Sequence, residues 1–70
     1  MKGIPDIIGC VNGQYVALEV KRSESEANKQ TGRTVLQRHT INKIRKVGGY
    51  ATFIYPLNAG EVLADLTDFL

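Results

Sequence analysis

The dipeptide Asn12-Gly13 constrains this chain more than any other feature. It separates two runs, residues 6–11 and 14–21, that are rich in Ile, Val and Tyr. Asn and Gly both tolerate the positive φ of a type I′ turn, so the pattern predicts a β-hairpin closed by a two-residue loop. A loop of that length also sets the register. Val11 pairs with Gln14, Cys10 with Tyr15, Ile8 with Ala17 and Asp6 with Glu19. Cross-strand partners share a face of the sheet, as do residues two apart on one strand. Asp6, Glu19 and Lys21 therefore converge on one face at the open end of the hairpin. Val16, Leu18 and Val20, with Ile7, are expected on the other face as core.

Directly opposed like charges destabilise a strand pair. Either one acid takes up a proton or a cation lies between them. Two carboxylates and the Val20 carbonyl make an oxygen cage suited to Mg²⁺ or Mn²⁺, which needs only one or two carboxylates besides water and phosphate. Lys21 beside such an ion would orient or deprotonate an attacking water, or offset negative charge developing on a phosphate. A simpler reading also stands: Asp6 caps a turn after Pro5, and Glu19 and Lys21 form an exposed pair on an amphipathic strand. That reading leaves the opposed carboxylates unexplained.

Downstream, residues 22–33 are nearly all polar and lack periodicity, so they read as a mobile loop. Residues 34–47 have helical spacing, with Thr34 as N-cap, Gln37 three residues on at the capping-box position, and Gly48-Gly49 as the stop. Residues 50–55 form a short apolar strand ended by Pro56. Asn58 is placed to cap a last helix over residues 59–70, with Val62, Leu63, Leu66, Phe69 and Leu70 as its apolar face. A helix between the hairpin and a third strand implies a crossover back into the same sheet. The fold class expected is α/β or α+β, on a small mixed sheet, in the order hairpin, helix, strand, helix, all in one domain over residues 1–70.

Leu36, Ile41, Ile44 and Val47 fall within an arc of roughly 140° on the long helix. Gln37 lies inside that arc. A glutamine in an apolar stripe needs a partner or a task, and a capping-box role or a satisfied core amide competes with a functional one. His39 lies far around the helix from Gln37 and is not expected to act. Cys10 reads as a small buried residue.

Charge is divided unevenly. All nine Lys and Arg lie within residues 1–50 beside four acids, a net of +5, whereas the last twenty residues carry −3. A basic body suits a polyanion, although many solvated surfaces look the same. Seventy residues with one cysteine allow no intrachain disulfide and bury only about 60% of the unfolded surface, so self-association is expected. The lone cysteine fits a reducing cytosol, bacterial or that of a phage-infected host, and no apolar run approaches the roughly 20 residues of a membrane span.

Pro5-Asp6 followed by Glu19-Val20-Lys21 resembles the PD-(D/E)XK nuclease motif. The longer pattern Gly3-Ile4-Pro5-Asp6-Ile7-Ile8, Glu19-x-Lys21, a polar loop, then Gln37 on a helix ending in Gly48-Gly49 resembles the virus-type replication–repair nuclease (VRR-NUC) branch over roughly residues 3–55. The resemblance implies a shortened restriction-endonuclease-like core and a metal-dependent DNA endonuclease, selective for branched or four-way-junction DNA and acting as a homodimer or higher homo-oligomer. It implies catalytic roles for Asp6, Glu19, Lys21 and Gln37, a metal held by Asp6, Glu19 and Val20, and phosphate contacts from Arg22, Lys29, Arg33 and Arg38. Members of that family usually carry a further N-terminal helix whose glutamate joins the metal site, and a strand after it. The present sequence reaches Pro5-Asp6 without them, which implies a nuclease with fewer ligands, one that borrows the element from another chain, or a form that binds DNA and cuts poorly. The alternative function is a non-catalytic nucleic-acid-binding or assembly module on the same scaffold. A small structural protein of a phage or mobile element is the third.

Overall fold

The computed structural model describes residues 5–70; Gly3 and Ile4 of the motif lie outside them. The fold is α+β. Three strands, β1 (Ile7–Val11), β2 (Gln14–Val20) and β3 (Tyr50–Ile54), form one mixed sheet in that order, with helices α1 (Glu24–Ala27), α2 (Gly32–Lys46) and α3 (Ala59–Phe69). The hairpin has the expected register, from Val11 opposite Gln14 to Ile7 opposite Leu18. Asn12 and Gly13 both take positive φ, 51° and 79°, as a type I′ turn requires. β2 and β3 run parallel, Ala17 beside Ala51 and Glu19 beside Phe53, so the α2 segment is the crossover.

The two faces of the sheet are covered by different helices. Ala17 and Ala51 pack with Ile41, and with the half-buried Ile44 and Phe53, under α2. Two alanines in register let the helix approach closely. Gly49 completes that approach, because a Cβ there would lie 2.7 Å from Ile44 Cγ2 and 3.1 Å from the Tyr15 carbonyl oxygen. Gly48, at φ 88°, ends α2 in the left-handed region that favours glycine. On the opposite face α3 lies along β3, where the Tyr50 and Phe69 rings meet at 5.5 Å and Tyr50 donates to the Val62 carbonyl at 3.5 Å.

Several expectations need correction. The polar stretch 22–33 is not all loop. Ser23 caps α1 by accepting from the Glu26 N–H, and Glu26 reaches back to the Arg22 N–H and guanidinium. α2 starts two residues early, with Thr31 at its N-cap, so Thr34 is a buried residue of the first turn. Asn58 makes no side-chain cap for α3; it accepts from the Tyr55 N–H and donates to the Phe53 carbonyl, closing the turn after β3. Val20 is half exposed because α3, on that face of the sheet, packs on β3 and not on β2; Leu36 and Val47 are exposed because α2 covers β2 and β3 and leaves β1 outside. Cys10, on β1, is exposed for the same reason.

Candidate active site

The hairpin register brings Asp6 and Glu19 together as counted. Asp6 sits on the bend just before β1, one position beyond the Ile7–Leu18 pair. Its backbone N–H donates to Glu19 Oε1 at 3.3 Å, and its Oδ2 accepts from the Val20 N–H at 3.0 Å. The two acids are thus cross-tied through each other's strand. Their surroundings differ: Glu19 lies on the face that α2 covers, whereas Asp6, at the end of the hairpin, is exposed. Glu19 is only 1% exposed, the most completely buried large side chain of the described residues.

Gln37 projects from α2 onto the same carboxylate. Its Nε2 donates to Glu19 Oε1 at 3.5 Å, and the residue is itself buried. Because α2 begins at Gly32, Gln37 lies well past the capping position, and the capping-box reading of it fails. Two buried oxygens lack a hydrogen-bond partner among the described residues: Glu19 Oε2 and Gln37 Oε1. Buried polar atoms are nearly always satisfied, and a pair of unsatisfied acceptors on facing side chains is the feature of this site that most needs an explanation.

The electrostatics follow from burial. Desolvation pushes the Glu19 carboxyl above its ordinary value of 4.5. The Asp6 N–H works against that rise, the Asp6 charge adds to it, and the Lys21 ammonium opposes it. Lys21 follows Glu19 by two residues and is also buried, with Nζ 5.7 Å from the centre of the Phe53 ring. Phe53 is the β3 partner of Glu19, so the ring forms a floor that positions the ammonium near the carboxylates by a cation–π contact. The simpler reading, an exposed Glu19–Lys21 pair on an amphipathic strand, is excluded by the burial of both side chains.

A cleft of about 350 Å³ opens beside these residues and is lined by Asp6, Lys21 and Gln37 together with Arg22, Lys29 and Arg33. Three of the four predicted phosphate contacts therefore border the site. The fourth does not: the Arg38 guanidinium donates to the Ala27 and Lys29 carbonyls at 3.0 and 3.1 Å and ties the end of α1 to α2. Arg22 is ion-paired to Glu26 at 3.1 Å, which holds the Glu26 carboxyl below its ordinary range. Sequence reasoning missed Glu26 and Thr34 at this cleft. The Ser23-x-x-Glu26 spacing, a capping-box signature, was the available signal for the first.

Among the described residues no group of three or more His, Cys, Asp or Glu side chains gathers in one place, and no helix is long and apolar enough to cross a membrane. No family model matches the chain, and no curated protein or solved structure gives a significant match.

Proposed function

We propose that this protein is a metal-dependent DNA endonuclease of the VRR-NUC type, hydrolysing phosphodiester bonds in branched or junction DNA as a homo-oligomer. The observation that carries the reading is the pair of buried oxygens unpartnered among the described residues, Glu19 Oε2 and Gln37 Oε1, on side chains bonded to each other and, through Glu19 Oε1, to the Asp6 N–H. Such atoms are hard oxygen donors, and a site with one or two carboxylates fits Mg²⁺ or Mn²⁺, which fill their remaining positions with water and phosphate. Asp6, Glu19 and the Val20 carbonyl would hold the ion, with Gln37 supporting Glu19. When bound, it supplies charge neutralisation at the scissile phosphate and lowers the pKa of water.

The protein's own groups have definite tasks in this reading. Lys21, held over Phe53, presents an ammonium to the reacting phosphate and orients the attacking water, acting where negative charge develops. Gln37, by donating to Oε1, would hold the Glu19 carboxylate in place behind the cleft. Arg22, Lys29 and Arg33 border the cleft and would grip the DNA backbone, a contribution that weakens as salt rises. α2 and Phe53 cover the site and exclude bulk water from one side.

Cleavage assays on linear, flapped and four-way-junction DNA test the proposal. The expected result is cutting that needs Mg²⁺ or Mn²⁺, stops with excess chelator, and is lost in Glu19→Gln and Lys21→Ala while Lys21→Ala still binds DNA. Binding that weakens with salt but shows no cutting and no metal effect would favour the non-catalytic module instead.

A further inference from the structure

The two edges of the sheet are treated in opposite ways. On β3, the Lys21 N–H donates to the Ile54 carbonyl, so Tyr50, Thr52 and Ile54 face β2 and the intervening residues face outward. Three of the outward groups at this end are occupied by side chains. Arg45 Nε donates to the Ala51 carbonyl at 2.9 Å, Asn58 Nδ2 to the Phe53 carbonyl at 3.1 Å, and the Tyr55 N–H to Asn58 Oδ1 at 2.8 Å. The side chains of Arg45 and Asn58 thus obstruct this edge against a further strand.

The β1 edge has no such protection. Val11 and Gln14 flank a two-residue turn as a hydrogen-bonded pair, so Gly9 and Ile7 also face β2, and the N–H and C=O groups of Ile8 and Cys10 point outward. Among the described residues no side chain bonds to them. The strand, Ile-Ile-Gly-Cys-Val, holds no charge and no proline, the devices by which sheets normally blunt an open edge. Neither long helix packs closely on it. Ile7 and Ile8 are each 49% exposed, Val11 44% and Tyr15 40%. Leu36 and Val47, also exposed, line the flank of α2 opposite Arg45, toward β1.

We propose that β1 pairs antiparallel with β1 of a second copy across a two-fold axis at Gly9, joining two sheets into one of six strands. This deepens the homo-oligomer of the proposed function by naming its surface, and it stands or falls independently of DNA cleavage. A second copy is the occupant because the edge is self-complementary. With Gly9 opposite Gly9 of the other copy, Ile8 lies opposite Cys10 in both directions, and the outward groups of these two residues satisfy each other completely. The register also sets Asp6 opposite the neutral Asn12, so no like charges oppose. Centring on Ile8 instead would require the Asp6 N–H, which Glu19 holds. Centring on Cys10 would require Asn12, whose φ of 51° takes it out of the strand. The area is adequate: Ile7, Ile8, Val11, Tyr15, Leu36 and Val47 leave on the order of 500 Å² exposed, and the pairing backbone brings this toward the roughly 800 Å² per partner of a stable interface.

The test is the oligomeric state of the full chain by light scattering and sedimentation, with a nitroxide on Cys10, the only cysteine. The expected mass is twice 7.7 kDa, with dipolar broadening of the spectrum, because diagonal neighbours on adjacent strands are about 7–8 Å apart. Ile8→Lys should give a folded monomer by circular dichroism. Should that variant unfold, Cys10→Pro serves: it removes one outward N–H, which an edge strand tolerates, and should also yield a monomer. A monomeric wild-type chain at the millimolar concentration of an NMR sample would overturn the proposal. So would a dimer that shows no broadening and survives these substitutions.

Discussion

Gln37 Nε2 lies 3.5 Å from Glu19 Oε1, across the interface between α2 and β2, with both side chains buried. This one bond links the crossover helix to the charged end of the hairpin. It is also half of an incomplete arrangement, since Glu19 Oε2 and Gln37 Oε1 have no partner among the described residues. Removing the donor should therefore be felt through Glu19. Gln37→Leu is expected to lower stability by about 1–3 kcal/mol at neutral pH, measured by urea unfolding without metal, with the deficit shrinking toward acid pH as Glu19 takes up a proton. A deficit that does not change with pH would mean that Gln37 acts only through packing.

Glu19→Gln should act in the opposite sense without metal. A glutamine in this place accepts from the Asp6 N–H and can donate to the orphaned Gln37 Oε1, and it carries no buried charge. The sign follows from the raised pKa of Glu19. The folded state binds the proton more tightly than the unfolded chain, so the favourable contribution is fully present below the ordinary value of 4.5 and is lost as pH rises through the folded value. The variant should then be more stable than wild type at neutral pH, by about 1–2 kcal/mol, and the difference should fade as the pH falls toward 4.5. Thermal unfolding in chelator across that range checks it; a variant less stable at every pH would contradict it.

Gly49 is a packing prediction with no bearing on chemistry. A Cβ at this position meets Ile44 Cγ2 at 2.7 Å and two carbonyl oxygens at 3.1 and 3.3 Å. Gly49→Ala should push α2 away from the sheet and cost about 1–3 kcal/mol. Chemical denaturation measures it directly. An unchanged midpoint would show that α2 can shift without loss.

Arg38 and Arg33 should separate cleanly. Arg38→Ala frees the end of α1, and hydrogen exchange at residues 24–29 should quicken while the salt dependence of DNA binding stays unchanged. Arg33→Ala should leave exchange there unaltered and reduce the salt slope of binding by about one. Equal effects on DNA binding would undo the distinction drawn from the Arg38 hydrogen bonds.

The hairpin, its register and the parallel crossover were legible because each rests on local rules: a turn dipeptide, a period of two, and a helix between strands. The convergence of Asp6 and Glu19 followed from counting alone. What the sequence concealed was the depth of the charged face. Alternation along β2 suggested that Val16, Leu18 and Val20 make the core and that the Glu19 face is the wet one. Val16 and Leu18 are indeed buried, yet Ala17 and Ala51 admit α2 onto the Glu19 face as well, and Val20 is left half exposed. Thr34 resembled a cap because Gln37 follows it at the right spacing, but Gly32 and Arg33 join the helix once Thr31 takes the N-cap. Cys10, Leu36 and Val47 are apolar residues left exposed, which no periodicity argument could distinguish from core.

Uptake of Mn²⁺, followed by the loss of the free-ion paramagnetic signal in the presence of non-hydrolysable junction DNA, tests the central claim most directly. The account predicts one ion bound per protomer in wild type, loss of that binding in Glu19→Gln and Asp6→Asn, and its retention in Lys21→Ala. Uptake that is absent, or equal in wild type and Glu19→Gln, would contradict it.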